Sequence, residues 1–71
     1  MTTTYTIRRG IKLRTTATRR WLVVSVMDGR ARVEWSTNDE ADAATMLASY
    51  RREFAPRCEL HLLDQAGLGG S

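Results

Sequence analysis

Trp21-Leu22-Val23-Val24-Ser25-Val26-Met27, then Asp28-Gly29, then Arg30-Ala31-Arg32-Val33-Glu34-Trp35 reads as two β-strands joined by a two-residue loop. Asp-Gly supplies the two positive-φ positions of a type I′ turn, whose twist matches that of the strands it joins. Such a loop sets Met27 against Arg30. Leu22 then meets Trp35, Val24 meets Val33 and Val26 meets Ala31, which makes one face entirely apolar. The other face sets Ser25 against Arg32 and Val23 against Glu34.

Upstream of this hairpin, Tyr5, Ile7, Ile11 and Leu13 fall on odd positions among Thr4, Thr6, Arg8, Lys12 and Arg14. Period-2 alternation predicts one half-buried strand, with Gly10 as a bulge or bend. The link Thr16-Ala17-Thr18-Arg19 would turn this strand back along Trp21–Met27, setting Leu13 against Leu22 and Ile11 against Val24. Both pairs land on the apolar face already defined, so a three-stranded antiparallel meander is expected. The same register sets Arg9 against Val26 on that face. This requires either a parity shift at Gly10 or a rim position with the arginine head in water.

After Trp35 the period changes. Thr37 and Glu40 have the spacing of a capping box, with Thr37 as N-cap. Ala43, Met46, Leu47, Tyr50 and Phe54 follow as one stripe of an amphipathic helix. Asp39, Glu40 and Asp42 in its first turns and Arg51 and Arg52 in its last complement the helix dipole, and Pro56 ends it. Cys58, Leu60 and Leu62 alternate with Glu59, His61 and Leu63 in a short last strand. The expected order is β-β-β-α-β, an α+β fold with one antiparallel sheet and one helix packed on one face. A sheet order of 4-1-2-3, with the last strand beside the first, is expected. Residues 1–65 form a single domain, and the glycine-rich residues 66–71 a flexible tail.

At 71 residues the chain can bury only about 60% of the surface its unfolded form exposes, which leaves no room for an enclosed active-site cleft. Hydrophobic residues at 42% and charged residues at 27% point to a globular chain rather than a disordered one. The N-terminus lacks the apolar run of a signal peptide, and Trp21–Val24 is far short of a bilayer span. One cysteine rules out an internal disulfide. A cytoplasmic protein without membrane association is therefore expected.

The net charge of +3 conceals an asymmetry. Residues 1–36 hold eight cations against two carboxylates, a net +6, and residues 37–71 hold three against six, a net −3. Ten of the eleven cations are arginine, the side chain suited to phosphate and carboxylate recognition, although a GC-rich coding bias gives the same composition.

No catalytic constellation is visible. Cys58 and His61 are the sole nucleophile–base pair, and residues three apart on a strand point to opposite faces. Cys58 is expected as a buried core thiol and His61 at the rim. One cysteine and one histidine do not make a zinc site, and no phosphate-binding glycine loop is present, so neither enzymatic activity nor a cofactor or metal is expected. With the helix on one face of the sheet, the opposite face would be open and would carry Arg8, Lys12, Arg14, Arg30 and Arg32 around Trp21, Val23 and Met27. Cations interleaved with aromatic and apolar groups suit a nucleic acid or an acidic protein surface. The same face also reads as an ordinary solvated one, with Arg14 stacked on Trp21.

The run Ile11 to Phe54, with Trp21-x-Val23, Asp28-Gly29, Trp35-Ser36-Thr37 and Glu40-Ala41, resembles the arm-type DNA-binding domains of tyrosine integrases. Those lay a three-stranded sheet, backed by a helix, in the major groove. The resemblance implies contacts from Arg14, Arg30 and Arg32, although the acidic helix start and the fourth strand depart from it. In size and architecture the chain is also similar to small phage-encoded inhibitors of anti-CRISPR type. That similarity implies a protein that binds and inhibits a host defence or nucleic-acid-handling complex. Its partners would be a host protein or ribonucleoprotein, with DNA or RNA as a direct ligand in the alternative. Asp39, Glu40 and Asp42 are the candidates for pairing with a basic groove, besides their capping role. A homodimer through a free sheet edge is a third arrangement open to the chain.

Overall fold

β3 (Trp21–Met27) is the central strand, and every residue from Leu22 to Val26 on it is buried. A run buried without alternation, apolar but for Ser25, is what a strand covered on both faces requires. β4 (Arg30–Thr37) pairs with one edge of β3 and β5 (Glu59–Asp64) with the other, both antiparallel, giving a three-stranded sheet of order β4-β3-β5. β1 (Thr3–Arg8) and β2 (Ile11–Thr15) form a separate two-stranded antiparallel ribbon. The helix α1 (Glu40–Phe54) precedes β5, and a short helix α2 (Gln65–Gly69) follows it. These elements come from a computed structural model that describes residues 2–69.

The α+β class, the antiparallel pairing and the single main helix are as the sequence predicts. The first expected strand is instead two. Arg8 pairs with Ile11 across Arg9 and Gly10, where Gly10 holds a φ of +80°. A register shift between Thr6 and Arg8 then restores odd-to-odd pairing, with Tyr5 opposite Leu13, so Tyr5, Ile7, Ile11 and Leu13 still share one face. Alternation alone does not distinguish a long strand from such a hairpin. The turn also removes the conflict over Arg9, which is exposed at the tip.

The expected pairing of Ile11–Leu13 with β3 does not form, because β5 takes that edge. Leu22 pairs with Leu63, Val24 with His61 and Val26 with Glu59. The expected order 4-1-2-3 is therefore corrected: the last strand lies beside β3, and the first two leave the sheet. Leu13 still meets Leu22, but by packing across layers, in a cluster with Val24 and Leu63. Tyr5, Ile7, Ala31 and Val33 pack around this cluster. The ribbon thus covers the Leu22/Val24 face, and α1 covers the other, where Val23 and Ala43 are both fully buried. An alanine at 43 lets the helix backbone approach the sheet closely.

The Asp28–Gly29 turn forms as expected, with φ of +54° and +75°, and Met27–Arg30, Val26–Ala31, Ser25–Arg32 and Val24–Val33 all pair as read from the sequence. A register shift then intervenes. Val23 faces Trp35 and Leu22 faces Ser36, so the expected Leu22–Trp35 and Val23–Glu34 pairs are replaced. The extra residue, Glu34, moves Trp35 to the helix side, where its indole Nε1 donates to Asp42 Oδ2 at 2.9 Å. Helix capping also differs from the expected box. Asp39 is the N-cap and accepts from the Ala41 amide, while Thr37 Oγ1 accepts from the Asp39 amide one turn earlier.

α2 replaces part of the expected tail. Its first residue, Gln65, is a tie point: Nε2 donates to the carbonyls of Ala17 and Arg19 at 3.0 and 2.7 Å, and Oε1 accepts from the Tyr5 hydroxyl at 2.5 Å. One side chain thereby joins the β2–β3 link, the ribbon and the end of β5. Residues 70 and 71 of the expected tail lie outside the described residues.

Candidate functional site

The open composite face expected from the sequence is not assembled. Its cations and Met27 fall on two surfaces on opposite sides of the three-stranded sheet, because α1 rather than solvent covers the side chain of Val23.

The first surface is the outer face of the β1–β2 ribbon. Strand alternation turns Tyr5, Ile7, Ile11, Leu13 and Thr15 inward and leaves Thr4, Thr6, Arg8, Lys12 and Arg14 exposed. Thr6 lies opposite Lys12 and Thr4 opposite Arg14, so hydroxyls and cations alternate in two rows. Arg8 is engaged: its Nε donates to Glu59 Oε2 at 2.8 Å. Glu59 Oε2 also accepts from His61 Nε2 at 2.6 Å. The His61 and Arg8 hydrogen bonds hold the Glu59 carboxyl below its usual pKa. Arg9, Lys12 and Arg14, in contrast, have no carboxylate within ion-pair distance among the described residues. No acidic residue occurs before Asp28, so the ribbon has no negative charge of its own.

The second surface is a cleft of about 660 Å³ between the C-terminal end of α1 and the β3–β4 turn. Met27, Phe54 and Cys58 provide its apolar part, with Ser25, Arg30 and Arg32 beside them. Met27 is 52% exposed, an open position for a large apolar side chain. Cys58 is half-buried here rather than in the core, with Sγ 3.7 Å from Met27 Sδ, because β5 begins only at Glu59. Tyr50 and Phe54 stack at 5.6 Å along the helix that walls the cleft. Arg32 is neutralised by Glu34 at 2.8 Å, and Ser25 Oγ donates to the same carboxylate oxygen at 3.1 Å. With Asp28 also at the margin opposite Arg30, the lining is balanced in charge.

Trp21 belongs to neither surface. Arg20, not Arg14, lies over its ring at 5.0 Å and grips Asp64 through Nε and Nη2 at 2.9 and 3.1 Å. The Arg20 hydrogen bond lowers the Asp64 pKa. The acidic helix start is committed to structure at two of its three positions: Asp39 caps α1 and Asp42 holds Trp35. Glu40 is exposed. His61 lies at the rim on the ribbon side, as expected, while Cys58 opens to the helix side.

Sequence reading missed Gln65, Arg20, Asp64 and Glu59 as joining residues. Each acts through a partner more than 40 positions away, and no local pattern marks such a pair. Phe54 and Cys58 were noticed, but as core residues. Among the described residues no three His, Cys, Asp or Glu side chains gather as metal ligands, and no helix is long and apolar enough to cross a membrane. No protein-family model, no curated protein and no solved structure matches the chain.

Proposed function

We propose that this chain is a small non-enzymatic interaction protein that binds and inhibits a nucleic-acid-handling complex, in the manner of phage-encoded inhibitors of anti-CRISPR type. The observation that supports the reading is the separation of two unlike surfaces by the central sheet. One is a ribbon that carries Arg9, Lys12 and Arg14 outside any ion pair among the described residues, and the other is a charge-balanced cleft with an exposed methionine and a phenylalanine. A nucleoprotein target offers phosphate to the first and protein side chains to the second. Met27 and Phe54 are side-chain types that anchor protein contacts, and a partner seated in the cleft would exclude water around them.

The test is inhibition in a reconstituted system. Purified chain is titrated into RNA-guided defence complexes while cleavage of target DNA is followed. Loss of cleavage near stoichiometric amounts, restored by Met27→Asp, supports the reading. Unchanged cleavage at tenfold excess across the main complex types overturns it. The alternative is that the chain acts by binding double-stranded DNA directly. It is favoured by the carboxylate-free ribbon, although through that surface alone rather than through a composite sheet face.

A further inference from the structure

We propose that the outer face and tip of the β1–β2 ribbon are a binding surface for the phosphate backbone of double-helical DNA, with Lys12 and Arg14 on the face and Arg9 at the tip as its cations. This deepens the proposed function and rests on it in taking the ribbon as a contact surface; DNA binding can fail while inhibition stands, and the reverse.

Three observations carry the inference. The first is charge. Of the six cations before Asp28, the structure ties Arg8 to Glu59 and Arg20 to Asp64, sets Arg19 on the Ser36 carbonyl, and leaves Arg9, Lys12 and Arg14 together on one ribbon with no carboxylate within ion-pair distance among the described residues. What sets these three apart from the other cations outside ion pairs is that they share one short ribbon whose sequence carries no acidic residue. The second is spacing. Lys12 and Arg14 stand two residues apart on one antiparallel strand, a separation of about 6.8 Å. That is twice the spacing of about 3.4 Å between successive phosphates of one DNA strand along the helix axis. Thr4 and Thr6, directly across, add hydroxyl donors to the same rows. The third is what the face lacks. Its one aromatic neighbour, Tyr5, turns inward to Gln65, so the outer face offers no ring on which an unpaired base could stack. Surfaces for single strands rely on such rings, whereas a flat two-stranded ribbon fits the B-DNA major groove, which is about 12 Å wide. The deep, narrow major groove of an RNA duplex does not admit it.

The full chain is titrated against a labelled DNA duplex of arbitrary sequence at several salt concentrations. Three phosphate contacts give a slope of log K against log salt of about −2.7, a loss of about 40-fold between 50 and 200 mM salt. Lys12→Ala/Arg14→Ala should leave a slope of about −0.9 and weaken binding at low salt by about tenfold or more. Arg51→Ala/Arg52→Ala removes the same charge from the exposed end of α1 and should change affinity by less than about twofold. Thr4→Glu/Thr6→Glu sets carboxylates opposite Arg14 and Lys12, pairings that suit the ribbon's own stability, and should abolish binding.

Several outcomes overturn the proposal: no duplex binding at 50 mM salt, equal losses from the ribbon and helix variants, or binding to a single strand or an RNA duplex as tight as to the DNA duplex. Capture of an acidic protein by the ribbon, with no affinity for the duplex, also overturns it and leaves the inhibitor reading intact. Duplex binding without inhibition of any complex supports it and removes that reading instead.

Discussion

The two sides of the central sheet are closed to different degrees. On the ribbon side Leu13, Leu22, Val24 and Leu63 form a buried cluster with five further, partly buried apolar side chains packed around it, and the exposed positions of the ribbon strands are threonine, arginine and lysine. On the helix side Val23, Ala43 and Leu60 are buried, but Met27, Trp35 and Leu62 remain substantially exposed and the cleft stays open. One layer is complete and displays charge, and the other is incomplete and displays apolar surface. In 71 residues there is little apolar material with which to close both sides, and the side left open exposes Met27, Trp35 and Leu62.

The largest expected effect tests this difference directly. Leu13 is 1% exposed at the centre of the ribbon-side cluster. Leu13→Ala should cost about 3 kcal/mol, as large-to-small changes in a closed core do. Leu47 on α1 is half-buried, and Leu47→Ala should cost about 1 kcal/mol. Denaturant melts of the two variants check the ratio. Equal losses would mean that the helix side is as fully packed as the ribbon side, and the comparison would fail. Since a domain of this size holds only about 4–10 kcal/mol in total, Leu13→Ala should also lower the yield of folded protein.

Gln65 sharpens the comparison, because it fastens the ribbon layer from outside the apolar cluster. Gln65→Ala removes the hydrogen bonds to Tyr5, Ala17 and Arg19 and should cost about 2 kcal/mol. Hydrogen exchange should show the loss first in β1 and the β2–β3 link, with α1 amides least affected. Uniform loss of protection across the chain would show that the layers do not loosen separately.

How far the sequence revealed all this follows the same division. The Asp28–Gly29 turn, the helix stripe and the inward set Tyr5, Ile7, Ile11 and Leu13 are local patterns, and they were legible. The layer assignment was not, because it depends on whether β2 or β5 takes the free edge of β3. Both strands carry alternating apolar residues, and each satisfies the Leu22/Val24 face, β5 by pairing and β2 by packing over it. A usable hint was present in Val23, an apolar residue on the face expected to be open. Three consecutive apolar residues, Leu22, Val23 and Val24, signal a strand covered on both sides. The candidate site suffered accordingly: a face that α1 covers was taken as exposed, and the residues read as one surface divide between two. The shift at Glu34, which moves Trp35 across the sheet, has no signal in a single sequence.

The smallest expected effect concerns the ion pairs that pin the two sides at their margins. Arg8–Glu59 ties the ribbon to β5, and Arg20–Asp64 ties the β2–β3 link to its end. Both carboxyls are held below their usual pKa, Glu59 by hydrogen bonds from His61 and Arg8 and Asp64 by that from Arg20. A lowered carboxyl pKa means that the folded state binds fewer protons than the unfolded one near the ordinary carboxylate range of about 4. The resulting stability is therefore present at neutral pH and is lost as pH falls through the folded-state values. Both pairs are well exposed to solvent, so the effect is small. Thermal melts between pH 7 and pH 2 should show the parent chain losing its lead over Glu59→Gln and Asp64→Asn as the pH drops below about 4. A gap that persisted unchanged at pH 2 would mean that these residues act through packing rather than charge. A gap in Glu59→Gln alone would place the anchoring of the ribbon at Arg8 and leave the Arg20 pair without weight.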